Sequence, residues 1–266
     1  MRADRKTRKT RVAANPVQAG RSNEATPRRW NLQPHVIALV VLWAAILLSY
    51  SNSFRTDLIF DNLAIIVRDP RIRAVTSENL HLIWRGEYWY SLAGNGLWRP
   101  LTTLSYLFNY AVLGNETRPA GYHWFNFVSH AVNATLLYLL GLTIFRRRIA
   151  SALVLALIWA VHPVLTESVT NVVGRADLLA GFGMFAGVLC YRRGVDRTGR
   201  WMWVWFAAAT LTCAVGMFSK ESAIVVPLVA VLYDLCIPPP AREGPGFWAT
   251  ERWPYRVFCI SQCGLN

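Results

Sequence analysis

"FNFVSHAVNATLLYLLGLTIF" (residues 125–145) decides the fold class, because it lies in a window, 119–145, without a single Asp, Glu, Lys or Arg. A helix needs about 20 mainly apolar residues to cross a hydrocarbon layer of ~30 Å, and this window exceeds that. A second run, "VIALVVLWAAILLSY" (36–50), sits in the charge-free window 30–54. Shorter apolar runs follow at 149–163, 178–191, 201–219 and 222–237; those at 178–191 and 222–237 are short enough to read also as core or re-entrant helices. With 54% hydrophobic residues, 12 Trp, only 16% charged residues and mean hydropathy +0.27, the chain is too apolar for an ordinary soluble domain. The expectation is an all-α polytopic membrane protein with about six spans.

Basic residues near spans are retained on the cytoplasmic side, so their distribution gives an orientation. With 1–29 inside, six spans also place 146–148, 192–200 and 238–266 inside, and these four segments hold 19 of the 28 Lys and Arg. The reading is an integral membrane protein with a cytoplasmic N-terminus. The basic tail, residues 1–34, is then explained by anionic lipid headgroups, and no nucleic acid is needed as a partner. "RRW" (28–30) before the first span fits a signal anchor. Five Cys without a CxxC spacing give no metal or disulfide framework. GxxxxGK, HExxH and GxGxxG patterns are absent, so no metal or nucleotide cofactor is expected.

This topology opens three turns on the non-cytoplasmic face: a long first loop of about 54–120, the turn 162–177, and 219–221. They collect Asp57, Asp61, Asp69, Arg99, His162, Glu167, Arg175, Asp177, Lys220 and Glu221. Ionisable groups at span ends are costly unless paired or hydrated, which marks them as a candidate site; the plainer alternative is that they anchor helix ends in the headgroup layer. "HP" (162–163) and "TE" (166–167) read equally as a helix stop and start, and Asp177 as a helix-start charge beside Arg175. In the first loop, "TSENL" (76–80) carries a helix-capping pattern, and Trp84, Trp89 and Trp98 suit interfacial helices. "PLTTLSYLFNYAVL" (100–113) is a possible extra span, opposed by the Arg146–Arg148 cluster, which such a span would move outside.

These blocks carry a resemblance. "FDNLAIIVRDPRI" (60–72), "LWRPLTTLSYLFNYAVLG" (97–114), "GYHWFNFVSHAVNATLLY" (121–138), "HPVLTESVTNVVGRADLLAG" (162–181) and "SKESAIVVPLVAVLYDL" (219–235) occur in order. Over about 54–236 the chain resembles the N-terminal membrane part of the transmembrane and tetratricopeptide-repeat O-mannosyltransferases and their bacterial relatives. The resemblance implies a GT-C-like helix bundle that moves a sugar from a polyprenyl-phosphate donor to an acceptor hydroxyl, on protein Ser or Thr, at the non-cytoplasmic face. It implies Asp61 as general base, with inversion at the anomeric carbon. Many members have two acidic residues at this point where this chain has Asp61 and Asn62.

Chemistry adds candidates for substrate binding. A departing lipid phosphate gathers negative charge that fixed Arg or Lys donors stabilise. Arg175 and Lys220, then Arg99, are the candidate phosphate contacts; His162, Glu167 and Glu221 are candidates to orient the acceptor or pair with those cations. No 34-residue repeat appears, and 238–266 is Pro- and Gly-punctuated, so the expectation is an N-terminal part of a longer or truncated protein, with a membrane domain at 35–237. A rival reading is a non-catalytic transport, binding or scaffold protein; inverted repeats or mid-span charges would favour transport, and neither is seen.

Overall fold

The computed structural model describes residues 32–90, 94 and 96–236. The basic tail up to residue 31 and the expected C-terminal tail, 238–266, lie outside them. Among the described residues every regular element is helical: α1 (Gln33–Tyr50), α2 (Ser77–Arg85), α3 (Pro100–Leu107), α4 (Pro119–Ile144), α5 (Ile149–Ala160), α6 (Thr166–Thr170), α7 (Arg175–Val195), α8 (Arg200–Ser219) and α9 (Val226–Cys236). The chain is an all-α polytopic membrane protein.

Four segments are long and apolar enough to cross a membrane: Gln33–Arg55, Pro119–Ile144, Val172–Val195 and Arg200–Ser219. A fifth is bent by 51° between α5 and the Pro163–Thr170 segment. The bend has a local cause. Pro163 has no N–H to donate and pushes His162 out of the helical region, to φ −66°, ψ 131°. Of the sixth expected span, the described part ends in the 11-residue α9, ~16 Å long and too short to cross alone. The 100–113 stretch is α3 followed by a π-helical turn, Phe108–Val112, and is likewise too short.

α1 is apolar all round, as lipid demands, yet it buries one stripe. Ala38, Leu42, Ile46 and Tyr50, four apart, face α4 and α5, while Val36, Ile37, Val40 and Leu48 stay exposed. Lipid tails are as apolar as these side chains, so close packing and interhelical hydrogen bonds must hold the bundle. Small residues supply the first: Ala152, Ala156 and Ala160 of α5 are fully buried. At the α7–α8 crossing, a Cβ on Gly183 would lie 2.6 Å from the Gly216 Cα.

Polar side chains of α4 supply the second. Asn133 Nδ2 donates to the Leu178 carbonyl at 2.8 Å. His130 Nε2 lies 2.8 Å from the Ala160 carbonyl, which also accepts from Tyr50 Oη at 3.0 Å. Ala160 ends α5 at the proline break, so its carbonyl has lost its helical partner and two side chains replace it.

The first loop folds on itself instead of lying loose. Leu58, Ile65, Ile66, Ile72, Ile83 and Tyr88 pack with Tyr106, Tyr122 and Val172 into a separate core. An Asp69–Arg71 ion pair at 2.7 Å is buried there, and Arg71 also reaches the Tyr88 carbonyl. A buried pair persists only when its remaining donors are satisfied. Thr76 caps α2 by accepting from the Asn79 N–H, as the sequence pattern predicts.

Candidate functional site

Four contacts draw the three turns together. The Val173 N–H donates to Asn62 Oδ1 at 3.1 Å, tying the first loop to the turn before α7. Thr102 Oγ1 donates to the Ser219 carbonyl at 2.8 Å, tying α3 to the end of α8. Arg99 grips Glu221 with two bonds, Nε to Oε2 at 3.0 Å and Nη2 to Oε1 at 2.6 Å. Lys220 Nζ donates to Asp177 Oδ1 at 2.5 Å. Adjacent residues, Lys220 and Glu221, thus reach in opposite senses to α7 and α3.

Arg175 organises the interior of this end. Its side chain is fully buried, and its acceptors are neutral: Asn126 Oδ1 at 3.0 Å, Asn109 Oδ1 at 2.6 Å, the Ser105 carbonyl at 3.1 Å and the Tyr122 carbonyl at 3.2 Å. The guanidinium also lies over the Phe125 ring at 4.2 Å and the Tyr106 ring at 4.7 Å. A buried cation without a carboxylate is held by oriented dipoles and ring faces, and Arg, with its planar fork of donors, suits this better than Lys. Gly174 lets the turn close: a Cβ there would meet the Ser168 Cα at 2.6 Å.

The remaining predicted residues are spread over the same end. Asp61 is exposed beside the buried Asn62, in the turn that leads into a π-helical segment, Leu63–Val67. His162 is exposed and its Nδ1 accepts from the Val164 N–H at 3.2 Å, the capping alternative read from "HP". Glu167 is exposed in the first turn of α6. Asp177 pairs with Lys220, not with Arg175 beside it.

Electrostatics follows the pairing. Arg99 holds the Glu221 carboxyl below the usual carboxylate range through its hydrogen bonds and charge. Burial works against the charge on Arg99, but Glu221 outweighs it and the net shift is upward. Burial pushes the Tyr88 hydroxyl well above its ordinary range and raises Tyr106 as well, so both remain hydrogen-bond donors. Tyr106 Oη donates to the Val172 carbonyl at 3.2 Å, and the two hydroxyls are 3.2 Å apart.

Sequence reasoning missed Asn109, Asn126 and His123. Asn126 Nδ2 donates to the Asn171 carbonyl at 3.0 Å, and His123 Nε2 lies 3.2 Å from Thr56 Oγ1. The available signal was the Asn and His spacing at 123, 126, 130 and 133, one helical face of α4. Between residues 56–62 and Thr170–Asn171 lies a cleft of about 200 Å³, next to Asp61 in sequence on its first-loop side.

Comparison with known proteins places these residues in a context. Protein O-mannosyl-transferase TMTC1 of Mus musculus is 33% identical over 219 residues, 76% of this chain and 22% of its own length. TMTC3 of Homo sapiens is 29% identical over 211 residues, 78% of this chain and 22% of its own. Human TMTC4 is 28% identical over 224 residues, 77% of this chain and 30% of its own. No family model matches, and no solved structure matches. The chain spans about a fifth of the length of the first two relatives. By this similarity, which runs over about three quarters of its length, the chain is a relative of the membrane-protein group that includes the TMTC protein O-mannosyl-transferases.

Proposed function

We propose that this chain forms the membrane site of a glycosyltransferase that moves a mannose-like sugar from a polyprenyl-phosphate carrier to a Ser or Thr hydroxyl of an acceptor protein, on the non-cytoplasmic face. The observation that carries the proposal is the joining of the three turns through Asn62–Val173, Arg99–Glu221 and Lys220–Asp177, which gathers an exposed carboxylate and reachable cations at one end of the bundle. The basic distribution along the chain supports a cytoplasmic N-terminus, and with it a non-cytoplasmic site.

In this reading Asp61 accepts the proton of the acceptor hydroxyl as its oxygen bonds to the anomeric carbon. The bond from that carbon to the phosphate oxygen breaks on the opposite side, its electron pair leaves with the lipid phosphate, and configuration inverts. Lys220, one quarter exposed, and Arg99 meet the phosphate charge, with Asp177 and Glu221 holding them until it arrives. Arg175 fixes the turn that Asn62 grips and acts through position. His162 and Glu167, both exposed, border the acceptor's approach.

The test is transfer of labelled mannose from a polyprenyl-phosphate donor to protein, in membranes containing the full-length gene product. Wild type should transfer, and Asp61→Asn at equal abundance should lose about 10²–10⁴-fold, the usual worth of a general base. Transfer unchanged in Asp61→Asn removes this role from Asp61; no transfer in wild type with any lipid-linked sugar overturns the enzyme reading.

A further inference from the structure

The cleft of about 200 Å³ between the first loop and the end of α6 has no part in the donor chemistry, and its wall contains the most unusual backbone position near Asp61. Phe60 has φ +50°, a left-handed conformation that costs a bulky side chain free energy, and the residue is 83% exposed. An exposed ring held on a strained backbone next to a candidate base is a reason to look for a ligand. Phe60 lines the cleft together with Ile59, itself 54% exposed.

The rest of the lining is polar. The side-chain carbonyls of Asn62 and Asn171 both accept from the Val173 N–H, at 3.1 and 3.3 Å, while their Nδ2 groups make no hydrogen bond among the described residues. The exposed Asp57 adds an acceptor. Two amide donors and a carboxylate in one cleft with an exposed phenylalanine match the carbonyls, N–H groups and side chains of an extended polypeptide. The volume is below the about 300–1,000 Å³ of sites that enclose an entire small ligand, so it holds a part of one.

We propose that this cleft seats the acceptor: a hydroxyl-bearing residue of an extended polypeptide segment enters it, and the segment packs against the Phe60 ring. The proposal rests on the glycosyltransferase reading for the acceptor's identity, and Asp61, next to Phe60, then meets the hydroxyl. Phe60 is a specificity-determining residue, and its strained backbone keeps the ring turned outward for the segment.

The test separates this from transfer by measuring binding without donor. The full-length protein in lipid nanodiscs is titrated into a fluorescein-labelled peptide of alternating Thr and Val, read by anisotropy. Phe60→Asn removes the ring but tolerates the left-handed backbone, so folding is not at risk; Phe60→Tyr keeps the ring. Kd should rise about five- to tenfold in Phe60→Asn, the size of one lost aromatic contact, and stay within about twofold in Phe60→Tyr. Phe60→Asn binding like wild type, or no binding by wild type, overturns the proposal; lowered abundance with unchanged Kd shows Phe60 to be a headgroup-layer anchor and also overturns it. Binding that depends on Phe60 in a protein that transfers no sugar upholds the cleft and removes only the glycosyltransferase reading.

Discussion

Replacing Arg175 with Met tests whether one buried guanidinium holds this end of the bundle together. Its Nε–H and two terminal nitrogens reach acceptors on three separate segments: Asn126 and Tyr122 of α4, Ser105 of α3 and Asn109 just after it. Hydrogen bonds to a charged group contribute about 1.5–3 kcal/mol each, but contacts in one network do not add, and Met keeps much of the volume. The cost of breaking a buried charged network, about 3–5 kcal/mol, is the better figure. Arg175→Lys keeps the charge but loses the planar fork, so about half that loss is expected. In a thermal unfolding series in detergent, Arg175→Met should lower Tm by roughly 6–20 °C. A Tm within roughly 4 °C of wild type, with the helical content intact, would show that the asparagine and carbonyl partners hold these segments without it.

Three further outcomes are expected. Because Arg99 depresses the Glu221 pKa below its unfolded value of about 4.3, the pair's stabilisation is present above that value and is lost as pH falls through the folded one. Thermal stability should therefore fall more steeply on acidification from about pH 5 to about pH 3 in wild type than in Glu221→Gln; parallel curves would refute the linkage. Gly183→Val should cost about 1–3 kcal/mol in detergent unfolding, because its Cβ would lie 2.6 Å from the Gly216 Cα, and Gly199→Asn should also destabilise despite the open space around it, because its backbone at φ +63°, ψ −147° is one that only glycine adopts without strain. Asp61→Asn should cut sugar transfer while leaving Tm within about 1 °C, since the side chain it changes is exposed; a large drop in Tm would make any loss of transfer uninterpretable as base chemistry.

The helices were legible where composition alone decides them. The charge-free windows around residues 36–50 and 119–145 became α1 and α4, because lipid exposure forces apolar residues on every side of a span. The helix at 77–85 was readable from Thr76, whose capping chemistry is local. The sixth span was less so, since α9 has only 11 described residues and apolar runs of that length do not fix whether a helix crosses.

For the site, sequence named the ionisable residues but not their partners. Lys220 pairs with Asp177 across 43 positions and Arg99 with Glu221 across 122, separations set by tertiary packing and invisible to local spacing. Arg175 looked like a cation available to phosphate. It is buried because Asn109 and Asn126, unremarkable inside apolar runs, turn their amide oxygens to it. His162 has two readings of equal weight, and the Val164 N–H donated to its Nδ1 is the contact that the capping one expects.

The central claim is that the first loop, the turn before α7 and the turn after α8 share one face of the membrane. Single cysteines at the exposed positions 61, 167 and 221, in a cysteine-free background, should all react with a membrane-impermeant maleimide from one side of oriented vesicles. Cysteines at 147 and 197, exposed in the turns at the other ends of these helices, should react only from the opposite side. Labelling of any one of 61, 167 or 221 from the side of 147 and 197 would contradict the shared face, and with it the site built there.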